Sequence, residues 1–543
     1  MLLKTLKCWH GATPTTGIGP EAPRSTTVGR VSGPVTPRRK SVLRPAALFV
    51  GVAALAVACG GTGDEPQVAP SEGTEPTPTR VVELEGVSRP VVTGPIEGGR
   101  AAPHIAMPPE LAAEHDYIEA EYLISGEATS YREAGEWGTD GRWEIEEDET
   151  APFTTRLLVR RPASPDAFDG TVVVEWLNVS SGQDVDVVFG HGYDELLSSG
   201  SAWVGVSAQA KGVDGTGAII DVPGVPAVPL TEWDPERYGD LVHPGDQFSY
   251  DLFSQAAAAL LAPDGADPLD GLVPQRLIGV GESQGAARLV TYVNAVQPTL
   301  GLYDGFLIHS RGNGGSILAP DPAPQPPYAW IRDDLDVPVL QFETESDLFG
   351  IAFVQARQPD TERLRTWEVA GTAHLDASMV AYRAWAAGAV GADADAAGSA
   401  IEARCGRINE GPQSQVLRKA LSSLRTWVAT GEAPATSPQI EIADGDISRD
   451  ELGIALGGIR TPPVDAPVVV LRGDNAGEGG YACALFGSTL PLDAAAIASR
   501  FPTQADFVEA VTRSARAAEE AGFLLPGDAE GFITEAEAST LGS

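Results

Sequence analysis

The chain has 543 residues, 43% of them apolar, enough for one large buried core or two. Lys and Arg total 37 against 75 Asp and Glu, a formal charge of −38. So acidic a surface repels nucleic acid and anionic lipid, which excludes a nucleic-acid partner and suits neutral small molecules. In chain order, a basic stretch around Arg38, Arg39 and Lys40 leads into the apolar run AALFVGVAALAVA, Ala46 to Ala58. That run is shorter than the roughly 18–20 residues that span a bilayer, so it reads as a targeting segment. Its ending, LAVAC, resembles a bacterial lipoprotein cleavage box in which Cys59 becomes lipid-modified. An ordinary signal peptide or an uncleaved anchor are the alternatives. Residues 1–58 are thus expected to be a lipoprotein-type signal peptide, and membrane contact to run through the N-terminal lipid only. Residues 59–90, rich in Pro, Gly, Thr and Glu, are expected to be a disordered tether, and residues 91–543 the folded domain.

Within that domain, YIEAEYLISGEAT and TTRLLVRRPA read as an opening pair of strands. GTVVVEWLNV and AWVGVSAQ are β-branched apolar runs ended by polar turns, hence buried strands. QFSYDLFSQAAAALLA has helical spacing, RLIGVG is another buried strand and AARLVTYVNAV another helix. YDGFLIHS, VPVLQFETE and RLRTWEVAG supply three more strands, and SQVLRKALSSLRTWVATG an amphipathic helix stopped by glycine. Continuous apolar strands alternating with helices predict an α/β fold, a mostly parallel sheet of about eight strands covered on both faces. Trp176, Trp203, Trp330 and Trp367 are read as core. From about residue 432 the pattern is less regular. Cys405 and Cys483, in an exported chain, are expected to form a disulfide that ties this extension to the body; two buried thiols are the alternative. The Pro- and Gly-rich insertion Gly212 to Asp240 suggests a loop or cap.

Gly281-Glu282-Ser283-Gln284-Gly285 fits G-x-S-x-G, a weak pattern by itself in so glycine-rich a chain. Its context strengthens it, because RLIGV precedes it as a strand and AARLV opens a helix. A nucleophile elbow needs such a strand-to-helix turn, with small residues two positions either side of the serine. The helix N-terminus also offers backbone N–H groups to an oxyanion. A serine needs a base, and this architecture imposes the chain order Ser, acid, His. Among seven histidines only His374 lies beyond both Ser283 and the candidate acids. The acid is Asp347 or Glu345, with Glu343 last, all at the end of one predicted strand. The oxyanion donors are the Gln284 backbone and the loop after VVVEWLNV, at Asn178, Val179 or Ser180; Asn178 alternatively serves as a plain turn residue.

The runs GVGESQGAARLVTYVNAV, YDGFLIHSRG, DVPVLQFETESD and EVAGTAH resemble the bacterial secreted alpha/beta hydrolase domain family, and so do RYGDLVHPGDQFSYDLFSQA and GGIRTPPVD. The resemblance runs from about Val91 to the C-terminus. It implies an α/β-hydrolase fold with Ser283, Asp347 or Glu345, and His374 as the triad, and with the extension in the same domain. The turn before the acid reads ETESD rather than a glycine-containing H-G-x-x-D, so the acid stays open. The expected activity is that of an exported, lipid-anchored serine hydrolase of small-molecule carboxylic esters, with no cofactor and no metal. Acyl transfer on the same triad and a non-catalytic cell-surface binding protein are the competing expectations.

Overall fold

The computed structural model describes residues 84, 86–389, 391, 393, 395–475 and 479–541. The expected signal peptide, Cys59 and most of the expected tether lie outside the described residues. Two long strands, β2 (Tyr117–Glu133) and β3 (Ile145–Pro162), pair antiparallel and follow a short β1 (Val91–Thr93). Then come β4 (Thr171–Trp176), β5 (Ala202–Val206), the two-residue β6 (Asp264–Gly265) and β7 (Arg276–Glu282). β8 (Gly305–His309), β9 (Val339–Thr344) and β10 (Leu364–Val369) complete the sheet. Its ten strands run in the order β10-β9-β8-β7-β4-β5-β3-β2-β1-β6. From β10 to β5 every neighbour pair is parallel; β3 turns antiparallel against β5. β1 and β6 are short edge additions, and the other eight strands match the expected count.

Burial of both faces explains the continuous apolar strands. Every residue of β4 is buried. Alternation sends Val172, Val174 and Trp176 into one core and Val173 into the other. On the first face lie the helices Ser249–Leu261 and Gln284–Thr291, which contribute Phe253, Leu289 and Val290. On the second lie Val187–Ser198 and Gln413–Thr430, which contribute Phe189, Leu417 and Leu424. Trp176, Trp203 and Trp367 are core residues, but Trp330 is 36% exposed, contrary to expectation, because it sits in the loop before β9 rather than on a strand.

Two arginines of β3 are fully buried and fully partnered. Arg156 pairs with Glu121 and Asp184, Arg160 with Glu119 and Asp186. Arg160 also lies over the rings of Phe189 and Trp203. Buried charges persist only when paired, and these pairs fix the segment 184–186 beyond β4 in place. The C-terminal extension packs onto the sheet end: Ile459 bridges Val369 of β10, and Arg449 pairs with Glu345. Cys405 and Cys483 form a disulfide with Cα atoms 5.2 Å apart. No helix among the described residues is long and apolar enough to cross a membrane.

Candidate active site

The strand order reverses at β4, whose neighbours β5 and β7 lie on opposite sides. In open parallel sheets the crevice at such a point, beyond the C-terminal strand ends, is where ligands bind. Four segments meet there: the loop after β4, the turn after β7, the start of the helix after β9, and the turn after β10.

β7 ends at Glu282, and the helix Gln284–Thr291 starts two residues later. Ser283, between them, has φ 54° and ψ −110°, a strained conformation for a residue with a side chain. Its N–H donates to the His309 carbonyl at 2.9 Å, so the sheet's own bonding holds it. The flanking glycines are required by contact. A Cβ on Gly285 would sit 2.7 Å from the Trp176 carbonyl oxygen, and one on Gly281 would sit 3.0 Å from the Gly285 backbone. The strained serine and these close approaches are what the sequence pattern predicts for a nucleophile elbow.

His374 follows β10 and is 2% exposed. Its Nε2 lies 2.8 Å from Ser283 Oγ and its Nδ1 2.6 Å from Asp347 Oδ1. Asp347 is anchored as well as partnered: its Oδ2 accepts from the Thr344 N–H and Oγ1, a capping box on the helix Glu345–Gly350. The neighbouring carboxylates point elsewhere. Glu345 accepts from the backbone N–H groups of Gly371 and Gly473 and pairs with Arg449. Glu343 is fully buried beside Arg311, and burial holds its carboxyl well above the usual range. Of the three candidate acids, Asp347 is the one that meets the imidazole. Ser346 braces the other side: its Oγ accepts from the His374 N–H and donates to the Gly473 carbonyl.

Burial opposes a charge on His374, but the Asp347 and Glu282 carboxylates outweigh it and push the imidazole up to about 9. Glu282 is the site residue that the sequence did not reveal. Its Oε1 lies 3.2 Å from His374 Nε2, and its Oε2 accepts from the Asn178 amide at 2.8 Å. Burial raises this carboxyl to about 7, with His374 and the Asn178 amide pulling against it and Asp347 adding to the rise.

Gln284 is the first residue of its helix, and its N–H has no intrahelical partner. Asn178 does not fit the expected donor role. Its backbone N–H is bound to the Val185 carbonyl, its amide is held by Glu282, and its Oδ1 accepts from the Ser180 N–H. Of the three loop residues named from sequence, Asn178 and Ser180 are therefore committed, and Asn178 organises the loop that carries Val179.

Ser283 and His374 open into a cavity of about 320 Å³. Its walls are largely apolar: Ile220, Val222, Val225 and Trp233 from the insertion at 212–240, Met379 and Val380 from the helix Ala377–Ala389, Ile401 from the helix Ala396–Cys405, and Leu485 and Phe486 from the helix Gly480–Phe486. The insertion is thus a wall of this cavity. The disulfide joins the last two of these helices at the cavity's edge. Among the described residues no group of three or more His, Cys, Asp or Glu is placed to hold a metal ion.

This sheet, elbow and buried carboxylate–imidazole–hydroxyl chain define the architecture of the α/β hydrolases. The chain belongs to the alpha/beta hydrolase domain family, whose model matches residues 92–534. Among solved structures it is similar to esterase Est22, at 16% identity over 53% of this chain and 81% of that one, with a TM-score of 0.26. It is also similar to a lidless α/β serine hydrolase from Xanthomonas campestris, at 13% identity over 45% and 83%, TM-score 0.22. A rice cell wall degrading esterase, LipA from Xanthomonas oryzae, matches at 13% identity over 38% and 48%, TM-score 0.21. No curated protein sequence matches the chain.

Proposed function

We propose that this protein is a serine carboxylester hydrolase acting on uncharged, largely apolar esters. The observation that carries the reading is the continuous chain Ser283–His374–Asp347 at 2.8 and 2.6 Å, opening into an apolar cavity. In the reaction, Ser283 Oγ attacks the ester carbonyl carbon while its proton passes to His374 Nε2. Asp347 holds the imidazole by Nδ1–H and stabilises the imidazolium. The carbonyl π electrons move to oxygen, where the backbone N–H groups of Gln284 and Val179 are the proposed donors. His374 then gives its proton to the departing alkoxide. An acyl-serine remains, and a water deprotonated by His374 releases the acid. These steps need no cofactor.

Export and lipid anchoring through Cys59 belong to the same proposal. The LAVAC run supports them, and so does a disulfide, which persists in an oxidising compartment. Metabolic labelling with a fatty-acid analogue is expected to tag the full chain and to fail in Cys59→Ser; label that persists in that variant would remove the anchor. The catalytic reading is tested with a fluorophosphonate probe and mass spectrometry. Labelling is expected at Ser283, absent in Ser283→Ala and weak in His374→Ala. A folded protein that takes up no label and cleaves no ester would overturn it.

A further inference from the structure

Glu282 stands where the elbow pattern allows any residue, yet it touches both halves of the site. Its Oε1 is 3.2 Å from His374 Nε2, the same nitrogen that faces Ser283 Oγ at 2.8 Å. Among the described residues that Oε1 has no aligned hydrogen bond, so the ion-pair approach to Nε2 is its recorded polar contact, although Glu282 is 1% exposed. Its Oε2 is gripped by the Asn178 amide, and Asn178 in turn orders the loop that leads to Val179 and Ser180. A buried carboxylate oxygen this close to an imidazole nitrogen favours a proton on the pair. Either His374 is an imidazolium beside an ionised Glu282, or Glu282 is a carboxylic acid beside neutral His374. With both deprotonated, a carboxylate lone pair would face the Nε2 lone pair in a site that water does not screen.

We infer that Glu282 is a second carboxylate on the catalytic base, a positioning residue that shares a proton with His374 and sets the pH at which the hydrolase becomes active. This rests on the serine-hydrolase reading above. The base must be neutral to accept the Ser283 proton. An ionised Glu282 stabilises the imidazolium and so holds the resting enzyme in its inactive protonated form. Activity then rises only as pH climbs past that of an ordinary imidazole. The same carboxylate stabilises the imidazolium formed during attack, so its charge contributes to the plateau rate as well.

The other groups around the pair do not supply this effect. Asp347 occupies the Nδ1 side and remains in every variant below. His309 is fully buried, and desolvation holds it neutral, well below the usual imidazole range. Burial raises the Glu343 carboxyl near Asp347 well above its usual range, and Tyr481, on the Asp347 side, is raised by burial and by that carboxylate. Glu282 is thus the ionising group in contact with Nε2. Two groups so close lose their protons in two steps that belong to the pair.

The test is the pH dependence of kcat/KM for a neutral ester, in wild type and in Glu282→Gln. Glutamine keeps the carbonyl that accepts from Asn178 and removes the charge. Its ascending limb is expected about 1–3 pH units to the acid side of the wild type, the range for loss of one opposite charge at contact. The plateau is expected to fall, and Glu282→Asp to return the limb toward the wild-type position. A lowered plateau with an unmoved limb would make Glu282 only a prop for Asn178 and overturn the inference. Should Glu282→Gln fail to fold, NMR of histidine-labelled wild type decides, with His374→Gln for assignment. The His374 resonance is expected to titrate in two steps, the later one well alkaline of 6.5. A single step near 6.5 would overturn the inference. Failure of fluorophosphonate labelling at Ser283 would instead sink the hydrolase reading, and the NMR titration would still report the Glu282–His374 coupling.

Discussion

Glu343, Glu345 and Asp347 lie within five residues at the end of β9, and their chemistry diverges because their surroundings do. A strand alternates its side chains and a helix then rotates them, so Asp347 faces His374 while Glu345 faces the Gly371 turn and the extension. Two substitutions separate the roles. Asp347→Asn leaves a group of the same shape that no longer stabilises the imidazolium, and kcat is expected to fall by about 10⁴-fold. Its unfolding free energy near neutral pH is expected to fall as well, by about 1–3 kcal/mol, because His374 loses the carboxylate that raises its pKa, so kcat is the readout that separates the two. Glu345→Gln strips the charge from three contacts at once and leaves Arg449 less well paired. It is expected to cost about 1–3 kcal/mol of unfolding free energy while kcat falls far less. If the two variants exchanged these phenotypes, Glu345 would be the acid. Gly285→Ala is a third case: its Cβ, 2.7 Å from the Trp176 carbonyl, would force the elbow apart, and loss of both labelling and stability is expected.

Strands buried on both faces announced themselves, because β4, β5, β7 and β8 carry apolar runs such as VVV, WVGV, LIGV and FLI, and β9 carries Val339, Leu340 and Phe342. The elbow was equally legible, since its glycines answer to a local steric demand. What the chain did not disclose depends on distant parts meeting. Glu282 reads as a filler residue until the turn after β10 brings His374 to it. Asn178 reads as a donor until Glu282 takes its amide. The insertion at 212–240 has no period, because its short helices are shaped by the wall they form. That wall faces the helix Ala396–Cys405, which the disulfide pins to Gly480–Phe486. The bridge closes a sequence separation of 78 residues, so its removal in a Cys405→Ser/Cys483→Ser variant is expected to cost about 2–4 kcal/mol. Freed, these helices hold the apolar walls less well. In an ester series kcat/KM is expected to fall several-fold for bulky apolar acyl groups and little for acetyl esters. A uniform loss across the series would place the bridge's influence on the whole fold and not on the cavity.

The chain carries a formal charge of −38, while the cavity wall is mostly apolar. Among the described residues Arg383 is the one Lys or Arg on that wall; it is 28% exposed and already faces Asp186 at 3.4 Å. Field and pocket therefore select in the same direction, against anions. A neutral ester crosses this field without penalty, and an anionic ester of equal length is repelled during approach. Salt separates the two effects, because the Debye length contracts from about 30 Å at 0.01 M to about 3 Å at 1 M. For a neutral nitrophenyl ester kcat/KM is expected to stay flat over that range. For the matching ester with a terminal carboxylate it is expected to start lower and to recover by about tenfold, the lower end of what long-range steering supplies. The recovery belongs in the association step, so kcat for both esters is expected to hold constant. Equal salt responses for the two esters would mean that salt acts on the buried triad, and the acidic surface would then have no part in choosing the substrate.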